Sequence, residues 1–139
     1  MEARVSLFQR CFDLLKPGGK LYIEDFFHKA KNGKPFSKNE IDLLQNEVSV
    51  PNGHLPTREE YITQVENIGF CEVEFQDVST EWTAFTAERL DMWREGQTRQ
   101  ERVHNATTFE SLDRFYAAVV ALFQGGTMGG VKLMLTKKE

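Results

Sequence analysis

Two adjacent carboxylates, Glu24 and Asp25, stand directly behind a short apolar run, Leu21-Tyr22-Ile23. In open α/β sheets ligands bind beyond the carboxyl ends of the strands, so an acid placed there can face a substrate. The plainer alternative is that these acids solvate a strand end and cap a loop. Asp25 is the candidate substrate-binding residue of the pair. His28 has the ordinary pKa of a general base, near 6.5. No carboxylate or nucleophile stands at a fixed local spacing from it, and the lysine-rich segment that follows reads as exposed surface. Farther on come Trp82, Phe85, Trp93, Phe115 and Tyr116. Such rings can wall a cationic group, each contributing about 0.5–2 kcal/mol, or they can simply fill a core. Phe115 and Tyr116 belong to a regular helical stripe and read as core. Trp82 and Trp93 are less regular and stand as candidate substrate-binding residues. Arg89 and Arg94 can pair with a phosphate or carboxylate of a substrate, against the alternative of solvated helix-face charge; Arg89 joins the candidate set. No catalytic residue can be assigned, and no metal ligand set is expected. Cys11 and Cys71 lie far apart without Cys or His neighbours at ligand spacing, so reduced, buried thiols are the reading.

The chain that carries these residues has 139 of them, enough for one domain or for part of a larger one. Lys+Arg 17 against Asp+Glu 21 gives a net charge of −4, which argues against nucleic acid or an anionic membrane as partner. A hydrophobic fraction of 40% with 11 Phe is too apolar for a disordered chain. No apolar run approaches the roughly 20 residues that span a bilayer, and Met1-Glu2-Ala3-Arg4 does not open a secretory signal. A cytoplasmic α/β protein is the expectation.

The elements follow from periodicity and punctuation. Val5, Phe8, Phe12 and Leu15 recur at helical spacing over 3–15, with Leu7, Cys11 and Leu14 widening the stripe. Lys16-Pro17-Gly18-Gly19 ends that helix, and 20–26 reads as a buried strand. His28 to Pro35 reads as a loop. Ser37-Lys38-Asn39-Glu40 and Thr57-Arg58-Glu59-Glu60 are capping boxes opening two helices, the first carrying Ile41, Leu44 and Val48. Gly69-Phe70 closes the second helix. Cys71, Val73 and Phe75 alternate with polar residues as a half-buried strand over 71–78. A helix over 82–95, a polar stretch from Arg94 to Asn105 and a helix over 108–123 come next. Gly125 to Gly130 breaks the last helix and feeds a strand at 131–136. Alternation of this kind is α/β layering.

At Leu14-Leu15-Lys16-Pro17-Gly18-Gly19-Lys20-Leu21-Tyr22-Ile23 the sequence closely resembles class I S-adenosylmethionine-dependent methyltransferases, where a helix ending in Leu-Lys-Pro-Gly-Gly precedes the fifth strand of a seven-stranded sheet. The stretch His54 to Phe70 looks like the family's last sheet-packing helix, Cys71 to Val78 like the sixth strand, and Val131 to Thr136 like the antiparallel seventh. Among subfamilies the likeness is to the glycine-betaine, phosphoethanolamine and sterol group. It implies a single partial domain over 1–139: the carboxy-terminal half of a Rossmann-like fold. A three-stranded mixed sheet, packed helices and a helical lid insertion at about 82–124 would make it up. The glycine-rich loop and the ribose-binding acid of the family precede this motif, and this chain has no counterpart of either. The glycine pairs at 18–19, 125–126 and 129–130 do not sit between a strand and a helix N-terminus, where amides could face a nucleotide. The resemblance therefore implies S-adenosylmethionine in the full-length parent, no tight cofactor binding by this chain alone, and a small-molecule methyl acceptor as partner. Without the family's fourth strand, strand 20–26 presents an open edge, so self-association through it is expected. A non-catalytic binding or interaction module completing another chain's sheet is the alternative.

Overall fold

Phe8 and Phe12 recur one turn apart, and in the computed structural model of the chain, which describes residues 3–30 and 33–139, they form the inner face of α1 (Ala3–Leu14). The exit is a turn closed by a Gly19 N–H to Lys16 C=O bond of 2.8 Å, with Pro17 and Gly18 at its centre. Gly18 has φ +81°, the second central position of a type II turn. A Cβ on Gly19 would stand 2.8 Å from the Lys16 carbonyl oxygen, so both glycines are required. Gly18 donates to Lys137 C=O at 2.7 Å and Gly19 C=O accepts from Lys137 at 2.8 Å. Two residues facing one, with the first in the left-handed region, is a glycine bulge. It launches β1 (Lys20–His28).

The sheet has three strands in the order β1-β3-β2, with β2 (Phe70–Asp77) and β3 (Met128–Lys137). β3 runs antiparallel to β2, from Phe70 opposite Lys137 to Asp77 opposite Val131. The bonds from the start of β1 to the end of β3 make that pair antiparallel too. A register shift between Cys71 and Glu74 marks a bulge, and Glu72 there has φ +50°.

By contacts the residues divide into two compact units. The first holds α1, β1, α3 (Arg58–Ile68), β2 and most of β3. Its core joins Phe8, Phe27, Tyr61, Val65, Phe70, Val131, Leu133 and Leu135. Lys137 ties α1 to β3: its ammonium donates to the Phe12 and Leu15 carbonyls at 2.8 and 2.9 Å and lies 4.5 Å from the Phe12 ring centre. The cation satisfies carbonyls that a helix end leaves without partners. The second unit holds α2 (Lys38–Asn46), a 3-10 turn at Pro51–Gly53, α4 (Ser79–Glu95), α5 (Gln97–His104) and α6 (Ala106–Gln124). Leu90, Phe109, Ala118, Val119, Leu122 and Phe123 are buried within it.

Several expectations need correction. β1 does not stop at residue 26 but runs through Phe27 to His28, whose N–H bonds Pro56 C=O and which bridges to Thr57. Glu24 and Asp25 therefore lie inside the strand, not past it. Nor is β1 buried throughout: burial alternates along it, and Tyr22 is 51% exposed. The polar stretch 94–105 contains a helix, α5, and α4 begins at Ser79, ahead of residue 82. β3 starts at Met128, so Gly129 and Gly130 belong to the strand; Gly130 C=O accepts from Val78 N–H at 2.9 Å. α2 ends at Asn46, ahead of Val48. Of the segment expected as a loop over 28–35, positions 31 and 32 lie outside the described residues.

Candidate functional site

In the second unit, the exposed turn of α4 carries Arg89, Met92 and Trp93, three and four residues apart and thus on one helix face. With Gln100 of α5 and Tyr116 of α6 they line a pocket of about 160 Å³. Its aromatic wall is fixed by ring packing. Trp93 stacks on Phe109 at 5.0 Å with 5° between planes, and meets Tyr116 edge to face at 5.2 Å. The Trp93 Nε1 is buried without a hydrogen-bond partner. The Arg89 guanidinium lies 6.0 Å from the Phe85 ring centre. This lining offers one cation, one carboxamide, one phenol and an indole edge, and no carboxylate. It suits an anionic or hydrogen-bond-accepting group better than a bare cation. Pockets that engulf a small molecule span about 300–1,000 Å³, so this one has room for only part of such a ligand.

In the first unit, α1 and β1 enclose a groove of about 390 Å³ lined by Arg4, Leu7, Phe8, Cys11, Leu21, Ile23, Glu24 and Asp25. Asp25 is held from three directions. Its Oδ2 accepts from the Tyr61 hydroxyl at 2.7 Å and lies 3.4 Å from Arg4 Nε, and its Oδ1 accepts from the Phe26 N–H at 2.8 Å. The Arg4 guanidinium also lies 5.5 Å from the Tyr61 ring centre. Tyr61 is fully buried, and burial first, then the Asp25 charge and hydrogen bond, push its hydroxyl far above the ordinary range for a phenol. This constellation fixes a carboxylate in place and offers no free base.

Arg89 and Trp93 therefore line one pocket. Trp82 packs edge to face on Phe123 at 6.3 Å and is not among that pocket's lining residues. Asp25 belongs to the first unit's groove. Tyr116, read from its stripe as core, is half-buried and lines the pocket. Arg94, left outside the candidate set, is engaged by Asp113 through two bonds of 3.1 and 3.2 Å. Gln100, Arg4 and Tyr61 were not singled out by sequence. Only Tyr61 carried a signal, an aromatic position one turn inside a capped helix. Both cysteines are free thiols, partly exposed where burial was expected; Cys71 Sγ donates to Thr136 C=O at 3.4 Å. Among the described residues no group of three Cys, His, Asp or Glu side chains forms a metal set, and no helix is long and apolar enough to cross a membrane.

The glycines decide how these residues fit S-adenosylmethionine. Gly18 and Gly19 form a turn and bulge from helix to strand. Gly125 caps the end of α6, and Gly129 and Gly130 are buried inside β3. Cradling a nucleotide needs amides between a strand end and a helix start, and none of these segments has that setting.

No family model matches the chain, and no curated protein matches it. Solved structures do. Phosphoethanolamine N-methyltransferase 2 of Haemonchus contortus, bound to phosphomonomethylethanolamine and S-adenosylhomocysteine, aligns with 100% of this chain and 31% of its own, at 13% identity and TM-score 0.79. A cyclopropane synthase from Mycobacterium tuberculosis aligns with 96% of this chain and 49% of its own, at 18% identity and TM-score 0.75. A [4+2]-cyclase aligns with 99% of this chain and 46% of its own, at 19% identity and TM-score 0.65. The chain thus spans under half the length of each. At these identities the likeness is one of fold: the chain folds as part of the Rossmann-like α/β domain found in these methyltransferase and cyclopropane synthase structures.

Proposed function

We propose that this chain is the carboxy-terminal, acceptor-side half of an S-adenosylmethionine-dependent small-molecule methyltransferase, and that alone it neither binds the cofactor tightly nor transfers methyl groups. The observation that carries this is the agreement of the whole chain with about a third to a half of such enzymes, together with glycine turns that do not suit a nucleotide. The helices at about 82–124 act as the lid, and the pocket at Arg89, Trp93 and Tyr116 receives the anionic end of the acceptor. A phosphate- or carboxylate-bearing amine is the substrate class, consistent with the phosphate-bearing ligand of the Haemonchus enzyme. Because the residues present do not fit the cofactor, no chemical step is assigned to them. The [4+2]-cyclase shows that one fold serves unlike reactions.

Two titrations test the proposal. Micromolar affinity requires about −8 kcal/mol, so calorimetry with S-adenosylmethionine should show no dissociation constant below ~10 µM; tighter binding overturns the half-domain reading. Phosphoethanolamine at millimolar concentration should shift the Trp93 indole resonance, and Arg89→Ala should abolish that shift. An unmoved indole removes the acceptor-side assignment. A second reading, a non-catalytic module that completes another chain's sheet, is favoured by the place of β1 at the end of the sheet among the described residues.

A further inference from the structure

The pocket in the second unit has two fixed walls and one loose one. α4 and α6 are locked to each other: Trp93 stacks on Phe109 and meets Tyr116 edge to face, and Arg94 is clamped by Asp113. The third wall is Gln100, carried by α5. None of the eight residues of α5 is buried, and no side chain caps its start. Among the described residues its one side-chain hydrogen bond is internal, from Gln97 Nε2 to Glu101 Oε1 at 2.8 Å. At that length it falls short of the roughly 12–15 residues that an isolated helix needs in water. The fixed elements at its two ends hold it in place, through Gly96, which adds no side-chain restraint, and Asn105.

Two costs are tied to that placement. Asn105 joins α5 to α6 at φ 82°, ψ 164°, where any residue with a Cβ is strained. The Trp93 Nε1 is buried without a partner, and a buried donor left unpaired forfeits the bond that water would give it. Both costs end when α5 lifts, because Asn105 is freed to an ordinary backbone conformation and the indole N–H meets solvent. With α5 down, about 160 Å³ admits only part of a ligand, so lifting also widens the way in. A group seated in the pocket that accepts from the Trp93 N–H removes one of the two costs and so favours the closed arrangement, by binding it better than the open one.

We infer that α5 is a flap on this pocket, hinged at Gly96 and Asn105, which lifts to admit a hydrogen-bond-accepting group and closes once the Trp93 N–H has bonded to it. The ligand half of the inference rests on the acceptor-side reading of the pocket; the hinge half does not. Hydrogen exchange of the whole chain, followed residue by residue by nuclear magnetic resonance, tests the halves separately. Without ligand, the α5 amides and the Trp93 indole N–H should exchange together, roughly a hundredfold or more faster than the amides of the buried Leu90 in α4 and Val119 in α6. Asn105→Gly removes the strain of the closed form and should slow that exchange severalfold, whereas Asn105→Ala keeps the strain and should not slow it. Phosphoethanolamine at millimolar concentration should slow it as well. The flap is overturned if α5 exchanges as slowly as α6, if the Trp93 indole stays protected while α5 opens, or if the two Asn105 variants act alike. An α5 that opens together with the indole and answers to Asn105→Gly, yet ignores phosphoethanolamine, upholds the hinge and removes the acceptor-side assignment, and the ligand half with it.

Discussion

Because the buried Tyr61 hydroxyl donates to the Asp25 carboxylate at 2.7 Å, ionising it would set two negative charges against each other in a dry setting. In the unfolded chain a tyrosine ionises near pH 10; in the fold it does so well above that. The folded form therefore holds the proton more tightly, and this contribution to stability is complete below about pH 10. It is lost as the pH rises further, at up to about 1.4 kcal/mol per pH unit. Chemical denaturation across pH 9–11.5 should show that decline, and Tyr61→Phe should flatten it while costing about 1–3 kcal/mol at neutral pH through the lost bond to a charged acceptor. An unchanged alkaline limb in Tyr61→Phe would assign the decline to other groups. Little of this arrangement was legible in the sequence. Asp25 stood out because an acid behind an apolar run is conspicuous. Its partners Arg4 and Tyr61 lie on different helices, and only tertiary packing brings them to it. Arg89 and Trp93 were each legible as candidates but were coupled with Arg94 and Trp82; positions four apart share a helix face, and that joins Arg89 to Trp93.

The starts of α2 and α3 were legible because a hydroxyl does the capping. Ser37 accepts from Glu40 N–H at 3.1 Å and Thr57 from Glu60 N–H at 3.2 Å, because a hydroxyl three residues ahead of an acid satisfies otherwise unpartnered amides. α5 was not legible: none of its residues is buried, so it leaves no apolar period to read. The end of β1 and the Gly129-Gly130 start of β3 were missed for the opposite reason, since partners across the sheet override local turn preference. Between α5 and α6, Asn105 ends one helix and begins the next. Its side chain accepts from Thr108 N–H at 2.9 Å while its backbone sits at φ 82°, ψ 164°, a region almost reserved for glycine. Asn105→Ala should cost about 1–2 kcal/mol, by losing the cap and keeping the strain. Asn105→Gly should cost only a few tenths. Thermal denaturation of the two variants checks the ordering, and equal losses would remove the backbone argument.

The strand order β1-β3-β2 sets the last strand in sequence between its two predecessors, antiparallel as the Leu-Lys-Pro-Gly-Gly resemblance implies. The division into two units was not legible, because the second unit draws on separate stretches, 30–55 and 79–128. The strand order also dictates when this sheet can exist. β1 and β2 share no ladder of their own, though Phe27 packs on Phe75 at 4.9 Å; each is zipped to β3, whose residues are the last of the three to be synthesised. Until they arrive, α1 lacks the Lys137 ammonium over its final carbonyls and neither of the other strands has a mate. Removing 131–139 should therefore abolish the strand signal in circular dichroism altogether rather than trim it by a third. A truncated chain with most of that signal left would show β1 and β2 finding another way to pair. Pairings this distant in sequence close slowly, on the millisecond-to-second scale. A nascent chain of this design waits, unzipped, for its third strand, and its early strands are exposed to any other chain for the whole of that wait.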